Sequence, residues 1–207
     1  MNKFSQALSI SMLSLILLTS VLATADAKTE TYCGSIPLQS TDWNSSVTLP
    51  KFDPALGALN EVNIDCGLNL SEGIYAENLN NNSIKYMANI SGGFLLELPG
   101  SEKLSIIINR SSNGSLEGFD GNMDYSGPSG INASVSNPSE HANINVTAIE
   151  DFVAGEPGEN ITLPASVFVS SLLSAPGSTS IGISMKAGVD VCVRYSYDPT
   201  VNGQGVS

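Results

Sequence analysis

The chain has 207 residues, with eight Lys and Arg against twenty Asp and Glu, for a formal net charge of −12. Basic residues cluster nowhere, which disfavours nucleic acid and anionic lipid as partners; the acidity reads as solubility in an external medium. After removal of an N-terminal export segment, roughly 180 residues remain, enough for one domain with a hydrophobic core.

The chain opens with Lys3, an apolar stretch from Ala7 to Leu22 and the small-residue run Ala23-Thr24-Ala25-Asp26-Ala27. A charged start, a short apolar core and an A-x-A site form a signal peptide (residues 1–27), with cleavage expected after Ala25 or Ala27. Ser9, Ser11 and Ser14 interrupt the apolar run, which falls short of the ~20 residues a spanning helix needs, so no membrane span is expected after cleavage. Lipoprotein attachment is not expected either, because Cys33 follows Glu30-Thr31-Tyr32, which is no lipobox.

From Tyr32 onward, short runs with a period of two alternate with turn clusters. Val62 to Leu70, Gly93 to Leu98, Leu104 to Asn109, Ile144 to Ile149, Val167 to Leu173, Ile181 to Met185 and Val189 to Tyr197 read as strands with one buried face. Asn80-Asn81-Asn82, Ser111-Ser112-Asn113-Gly114, Ser126-Gly127-Pro128-Ser129-Gly130 and Gly155-Glu156-Pro157-Gly158 read as turns. About ten strands without a convincing helical period predict an all-β antiparallel sandwich or jelly-roll over residues 28–198, with a short tail at 199–207. The run Ala165 to Leu173 could open a helix after Pro164, but β-branched Val167 and Val169 favour a strand.

Three cysteines permit one disulfide and one free thiol. In the last strand Val189, Val191, Val193, Tyr195 and Tyr197 share a face, leaving Cys192 on the other; Ile36 and Leu38 likewise leave Cys33 on an outer face. Cys66 instead shares its face with Val62, Ile64, Leu68 and Leu70. This parity favours Cys33 bonded to Cys192 and a buried, free Cys66. N-x-[ST] sites occur at Asn44, Asn69, Asn81, Asn89, Asn109, Asn113, Asn132, Asn145 and Asn160; several are expected in loops, open to modification in a host that glycosylates.

Ser35-Ile-Pro-Leu-Gln-Ser-Thr-Asp-Trp43 and Leu49-Pro-Lys-Phe52-Asp53-Pro54-Ala-Leu-Gly57-Ala-Leu-Asn-Glu-Val62 resemble the choice-of-anchor E domain. Glu77-Asn78-Leu79, Phe119-Asp120-Gly121 with Asp124, Ser129-Gly130 and the closing Val191-Cys-Val-Arg-Tyr-Ser-Tyr197 agree in order and spacing, so the resemblance covers nearly the whole mature chain. It implies a secreted β-rich domain without established enzymatic activity, usually followed by a C-terminal sorting or anchoring signal. Here the ten residues after Tyr197 contain no apolar helix, basic tail, LPxTG or PEP-type motif. The expectation is a secreted protein that is released, held by a non-covalent partner, or represented by a shortened chain.

Chemistry at a site has few candidates. Nucleophilic catalysis usually needs a His to take the proton, and the single His141, in Pro138-Ser-Glu-His-Ala-Asn143, reads as a solvated loop residue; no G-x-S-x-G elbow is present. A hydrolase would have to use paired carboxylates, Asp120 with Asp124 or Glu150 with Asp151. Asp120, Asn122 and Asp124 place oxygen ligands at alternate positions, which invites a calcium reading, but an EF-hand fails at Tyr125 and Ile131. The simpler expectation is no metal or cofactor, with Phe119, Met123 and Tyr125 facing the core from a half-buried strand. Exposed aromatics could stack on sugar rings, and Trp43, Tyr75, Tyr86 and Tyr125 are the candidates, with Trp43 expected in the core. The functional expectation is a non-catalytic structural or adhesive domain of the cell envelope or its surroundings, with an envelope component or glycan as partner; the oligomeric state stays open. A carbohydrate-binding module is the alternative and a carboxylate hydrolase the third reading.

Overall fold

The computed structural model describes residues 26–136 and 139–200. The expected signal segment lies outside them up to residue 25, and the expected tail from residue 201 onward. The described residues form nine strands: β1 (Lys28–Ser40), β2 (Trp43–Pro50), β3 (Gly57–Asn78), β4 (Ile84–Glu97), β5 (Lys103–Leu116), β6 (Gly130–Ser136), β7 (Glu140–Asn145), β8 (Asn160–Ser174) and β9 (Thr179–Pro199). They build two antiparallel sheets. One sheet runs β1-β9-β3, with β6 and β7 pairing in succession along the far side of β3; the other runs β2-β8-β4-β5.

Alternation produces the sandwich. In β3 the even-numbered Val62, Ile64, Cys66, Leu68 and Leu70 point inward, opposite Val189, Val191, Val193 and Tyr195 of β9 on the same inner face. Leu49, Leu163, Val167, Phe94, Leu96 and Ile108 supply the facing layer from the second sheet. Each such side chain contributes about 1.5–3 kcal/mol by leaving water, and the two layers together form the main core. Two polar atoms reach across the sandwich to backbone acceptors: the Trp43 indole N–H donates to the Ala187 carbonyl at 3.2 Å, and the Tyr195 hydroxyl donates to the Pro50 carbonyl at 2.8 Å. Trp43 is therefore core.

Several expected boundaries move. The strand count is nine rather than about ten, because Ile181 to Met185 and Val189 to Tyr197 are one strand, β9; Ala187 between them is buried and continues the inward row. The expected turn at Ser111-Ser112-Asn113-Gly114 lies inside β5. Gly114 is there for packing: a Cβ would sit 2.7 Å from the ring of Tyr86 on the neighbouring strand, so the position needs no side chain and no reversal. β7 stops at Asn145, and Ile149 belongs to a 3-10 turn (Ile149–Phe152) that buries Phe152. Residues 165–173 are strand, within β8.

Cys33 and Cys192 are directly opposite each other in the β1-β9 ladder and are disulfide-bonded; Cys66 is free and buried.

Candidate functional site

β3 carries Tyr75 and Glu77 on its outward face, because the even positions take the core. The ladders set Tyr75 in one row with Gly182 of β9 and Asn132 of β6, and Glu77 in the next row with Ser180 and Gly130. The segment between β5 and β6, residues 117–129, folds over this end of the sheet. Its anchors are backbone bonds from Glu117 N to Pro128 O, Phe119 N to Asn80 O and Asn78 N to Ser129 O.

Two buried polar side chains organise the cap. The Asn78 amide donates to the carbonyls of Asn82 (2.8 Å) and Glu117 (2.6 Å) and accepts from both the backbone and side-chain N–H of Asn80. Every strong hydrogen-bonding position of that amide is used, which ties two loops to the end of β3. Glu77 is fully buried and accepts the backbone N–H of Tyr125 at 2.7 Å. Gly130 is required beneath it: a Cβ there would stand 2.3 Å from Ser126 N and 2.6 Å from the Glu77 carboxylate. Tyr125 adopts φ 54°, a region that bulky residues rarely enter, and its hydroxyl lies 3.0 Å from Ser180 Oγ. Such outliers persist where the surroundings hold them, and here the bond to the Glu77 carboxyl, a hydroxyl contact and the cap backbone do so.

The product is a tyrosine corner. Tyr75 lies across Gly182, where a Cβ would come within 2.2 Å of its ring, and Tyr125 meets it edge to face with centroids 5.3 Å apart and planes at 80°. Tyr75 remains 39% exposed, so a ring lying on the sheet presents its outer face to solvent. Asn132 and Ser134 of β6 and Ser184 of β9 provide amide and hydroxyl groups alongside. A flat aromatic surface ringed by neutral hydrogen-bonding groups can hold a planar or ring-shaped polar ligand without any charge.

The other candidates are placed differently. Tyr86 is buried, in a small cluster with Ala76 and Leu116, so it is no stacking surface. The segment containing Phe119, Met123 and Tyr125 is a loop rather than a half-buried strand, and Met123 points to solvent. Asp120, Asn122 and Asp124 are exposed. Asp120 accepts the N–H of Asn122, and Asp124 accepts the N–H and hydroxyl of Ser126, so both carboxylates act as local turn caps. Among the described residues no three His, Cys, Asp or Glu converge as a metal site. Glu150 and Asp151 sit on the 3-10 turn at the opposite end of β3, where Val146 N bonds Val62 O. His141 is on strand β7 rather than in a loop, exposed, with its imidazole 3.9 Å from Asp65 and packed over Gly67.

Of the nine N-x-[ST] sites, only Asn81 lies in a loop; the others lie in strands, on outward faces, which corrects the expectation of several loop sites. An open cavity of about 590 Å³ lies where β8 parts from β4, lined by Lys85, Tyr86, Met87, Asn113, Ser174 and Pro176. It gathers no set of titratable groups.

Sequence reasoning singled out Tyr75 and Tyr125 separately; their meeting depends on a loop crossing that periodicity cannot see. Ser180, Gly182 and the latch role of Glu77 carry no signal of their own, although Glu77 and Ser129-Gly130 were already among the landmarks of the resemblance.

No family model matches the chain, and no curated protein matches it. Among solved structures, a structure of infectious bursal disease virus, Gx strain, is similar at 11% identity over 93% of this chain and 43% of that one, with a TM-score of 0.20. T=1 particles derived from infectious bursal virus are similar at 10% identity over 93% and 45%, with a TM-score of 0.12. This chain spans less than half the length of either, and likeness at that level carries no argument.

Proposed function

We propose that the protein is an exported, non-catalytic β-sandwich that works in the cell envelope or its surroundings by adhesive or structural contact, and that the tyrosine corner is its point of contact. The observation that carries this reading is the construction of the corner: a fully buried carboxylate holds the backbone of Tyr125 in a rare conformation so that its ring stands against Tyr75. Rigid aromatic surface presented at little conformational cost suits recognition. The landmarks Glu77-Asn78, Phe119 to Asp124 and Ser129-Gly130 of the choice-of-anchor E resemblance all fall in or under this cap, which supports reading the chain as a relative of those secreted domains. A disulfide between β1 and β9 fits an oxidising compartment and so supports export.

A second reading, a carbohydrate-binding module, is favoured by the exposed face of Tyr75 beside Asn132, Ser134 and Ser184, which suits a neutral sugar ring. The test is a pull-down of the purified protein on envelope fractions and a glycan panel, with Tyr75→Ala and Tyr125→Ala in parallel. Binding should fall about tenfold or more in each variant, equivalent to ~1.4 kcal/mol for a lost stacking contact. Binding that ignores both substitutions removes the corner from the proposal, and no binding to any envelope or glycan preparation removes the adhesive reading.

A further inference from the structure

The outward face of the β2-β8-β4-β5 sheet differs from the outward face of the other sheet. Its residues follow from the alternation: the even positions of β2 and β8 and the odd positions of β4 and β5. Almost all are Asn, Ser, Thr or apolar; the charged ones are Lys85 at one end and Glu97 with Lys103, 3.9 Å apart, at the other. Among the described residues, four of the seven large exposed apolar side chains lie here: Ile107 (75% exposed), Leu172 (66%), Phe168 (59%) and Met87 (50%). Phe168 lies over Gly93, in the same cross-strand row as Ile107, so ring and aliphatic side chain flank one shallow central saddle. By contrast the outward face of the other sheet carries Asp65, Asp190, Lys186 and Arg194.

We propose that this face is an interface between two copies of the chain, packed face to face about a two-fold axis. Three observations choose a second copy as the occupant. First, depletion of charge with Phe168 and Ile107 exposed in the central row, and Leu172 and Met87 exposed toward one end, is the composition of an interface core, not of a free surface. Second, two chains that each carry −12 repel wherever their carboxylates meet, and this broad face is where they can approach without doing so. Antiparallel stacking of the central strands brings Lys85 of one copy toward the Glu97–Lys103 pair of the other, and the reverse, as an isologous contact requires, and it sets no two carboxylates against each other. Third, the size is adequate. Four strands about 4.8 Å apart and a central strand of 14 residues at about 3.3 Å each give a face of roughly 19 by 46 Å. That is on the order of 800 Å² per copy, the share each partner gives to a standard stable interface.

The experiment is sedimentation velocity on protein purified from cells expressing the whole chain, across the micromolar range. The wild type should sediment as a dimer that persists in high salt. Ile107→Glu with Phe168→Glu, both exposed substitutions, should sediment as a monomer with an unchanged far-ultraviolet spectrum, and Thr29→Glu with Thr31→Glu, adding the same charge on β1, should remain a dimer. The proposal is overturned by a wild type that stays monomeric, by a dimer that survives the paired substitution, or by a control that dissociates equally. It is also overturned by a sugar found on Asn89 or Asn109 of the native protein, or by glycan binding to a monomer that Phe168→Glu abolishes.

Discussion

Cys66 is held among Ile64, Leu68 and the inward side chains of β9, and burial first, with the neighbouring Asp65 charge second, pushes its thiol up to about 12. The thiolate is the reactive form, so Cys66 is inert in the native protein. Iodoacetamide at mildly alkaline pH should leave it unmodified until denaturant is added, after which one site is labelled; labelling of the folded protein would contradict this burial. Glu77 makes the opposite argument, for a buried polar group that is used. Removing its carboxyl group leaves the Tyr125 N–H beneath the cap without an acceptor, and an unsatisfied buried donor costs ~1–3 kcal/mol. Glu77→Ala should therefore lower the melting temperature by several degrees and weaken the proposed binding as much as is expected of Tyr125→Ala, while Glu77→Gln, which still offers an acceptor, should keep most of both. An alanine variant with wild-type binding would show that the latch does not position the ring.

At the scale of strands, the sequence pattern and the sequon pattern turn out to be one phenomenon. An N-x-[ST] triplet in a strand puts Asn and Ser or Thr on one face and x on the other, and Leu70, Ile90, Val146 and Ile161 at x are buried. Eight of the nine sites are thus a by-product of outward faces built from Asn, Ser and Thr, and only Asn81 stands in a loop. In a host that glycosylates, peptide mapping should find Asn81 occupied first and Asn69 empty, since the Asn69 amide donates to Asp190 at 2.8 Å and accepts from Ser139. Parity also made the inward rows and the outward placement of Cys33 and Cys192 legible before any coordinates. Strand length was not: Gly67, Gly114 and Gly182 inside β3, β5 and β9 look like punctuation but are sites where a neighbouring ring lies close. The cap over Glu77 was illegible for a related reason, because its contacts join residues some fifty positions apart through a loop with no period. β1 has one buried apolar side chain, Ile36, and is held mainly by its ladder to β9. The Cys33–Cys192 bond, closing 159 residues, should contribute roughly 2–5 kcal/mol, so Cys33→Ser with Cys192→Ser should melt about 5–20 °C lower. Amide exchange in that variant should quicken first in β1; uniform quickening would mean that the strand does not depend on the staple.

For the whole molecule the controlling term is charge. Twenty carboxylates against eight basic residues repel one another at neutral pH, so moderate salt, which shortens the screening length to about 8 Å at 0.15 M, should raise the denaturation midpoint. Lowering the pH toward the carboxylate range relieves the same repulsion, but two groups work against it. A side-chain bond from Thr147, then its backbone N–H, holds Glu102 below the usual carboxylate range, and the Lys51 ammonium at 2.6 Å, then the Gly155 N–H, does the same for Glu159. Because their folded values lie below the unfolded ones, the unfolded chain takes up protons first as pH falls, and their contribution, intact above the usual carboxylate values near pH 4.3, is lost as pH passes down through the folded values. Both groups are exposed, so each contribution is small, yet the sign is testable with Glu102→Gln and Glu159→Gln together. The double variant should be less stable than wild type at pH 7, and the gap should close as the pH is taken below both folded values. Urea midpoints measured from pH 7 to pH 2.5 check this, and a gap as wide at the acid end as at neutrality would rule out ionic anchoring of these two loops.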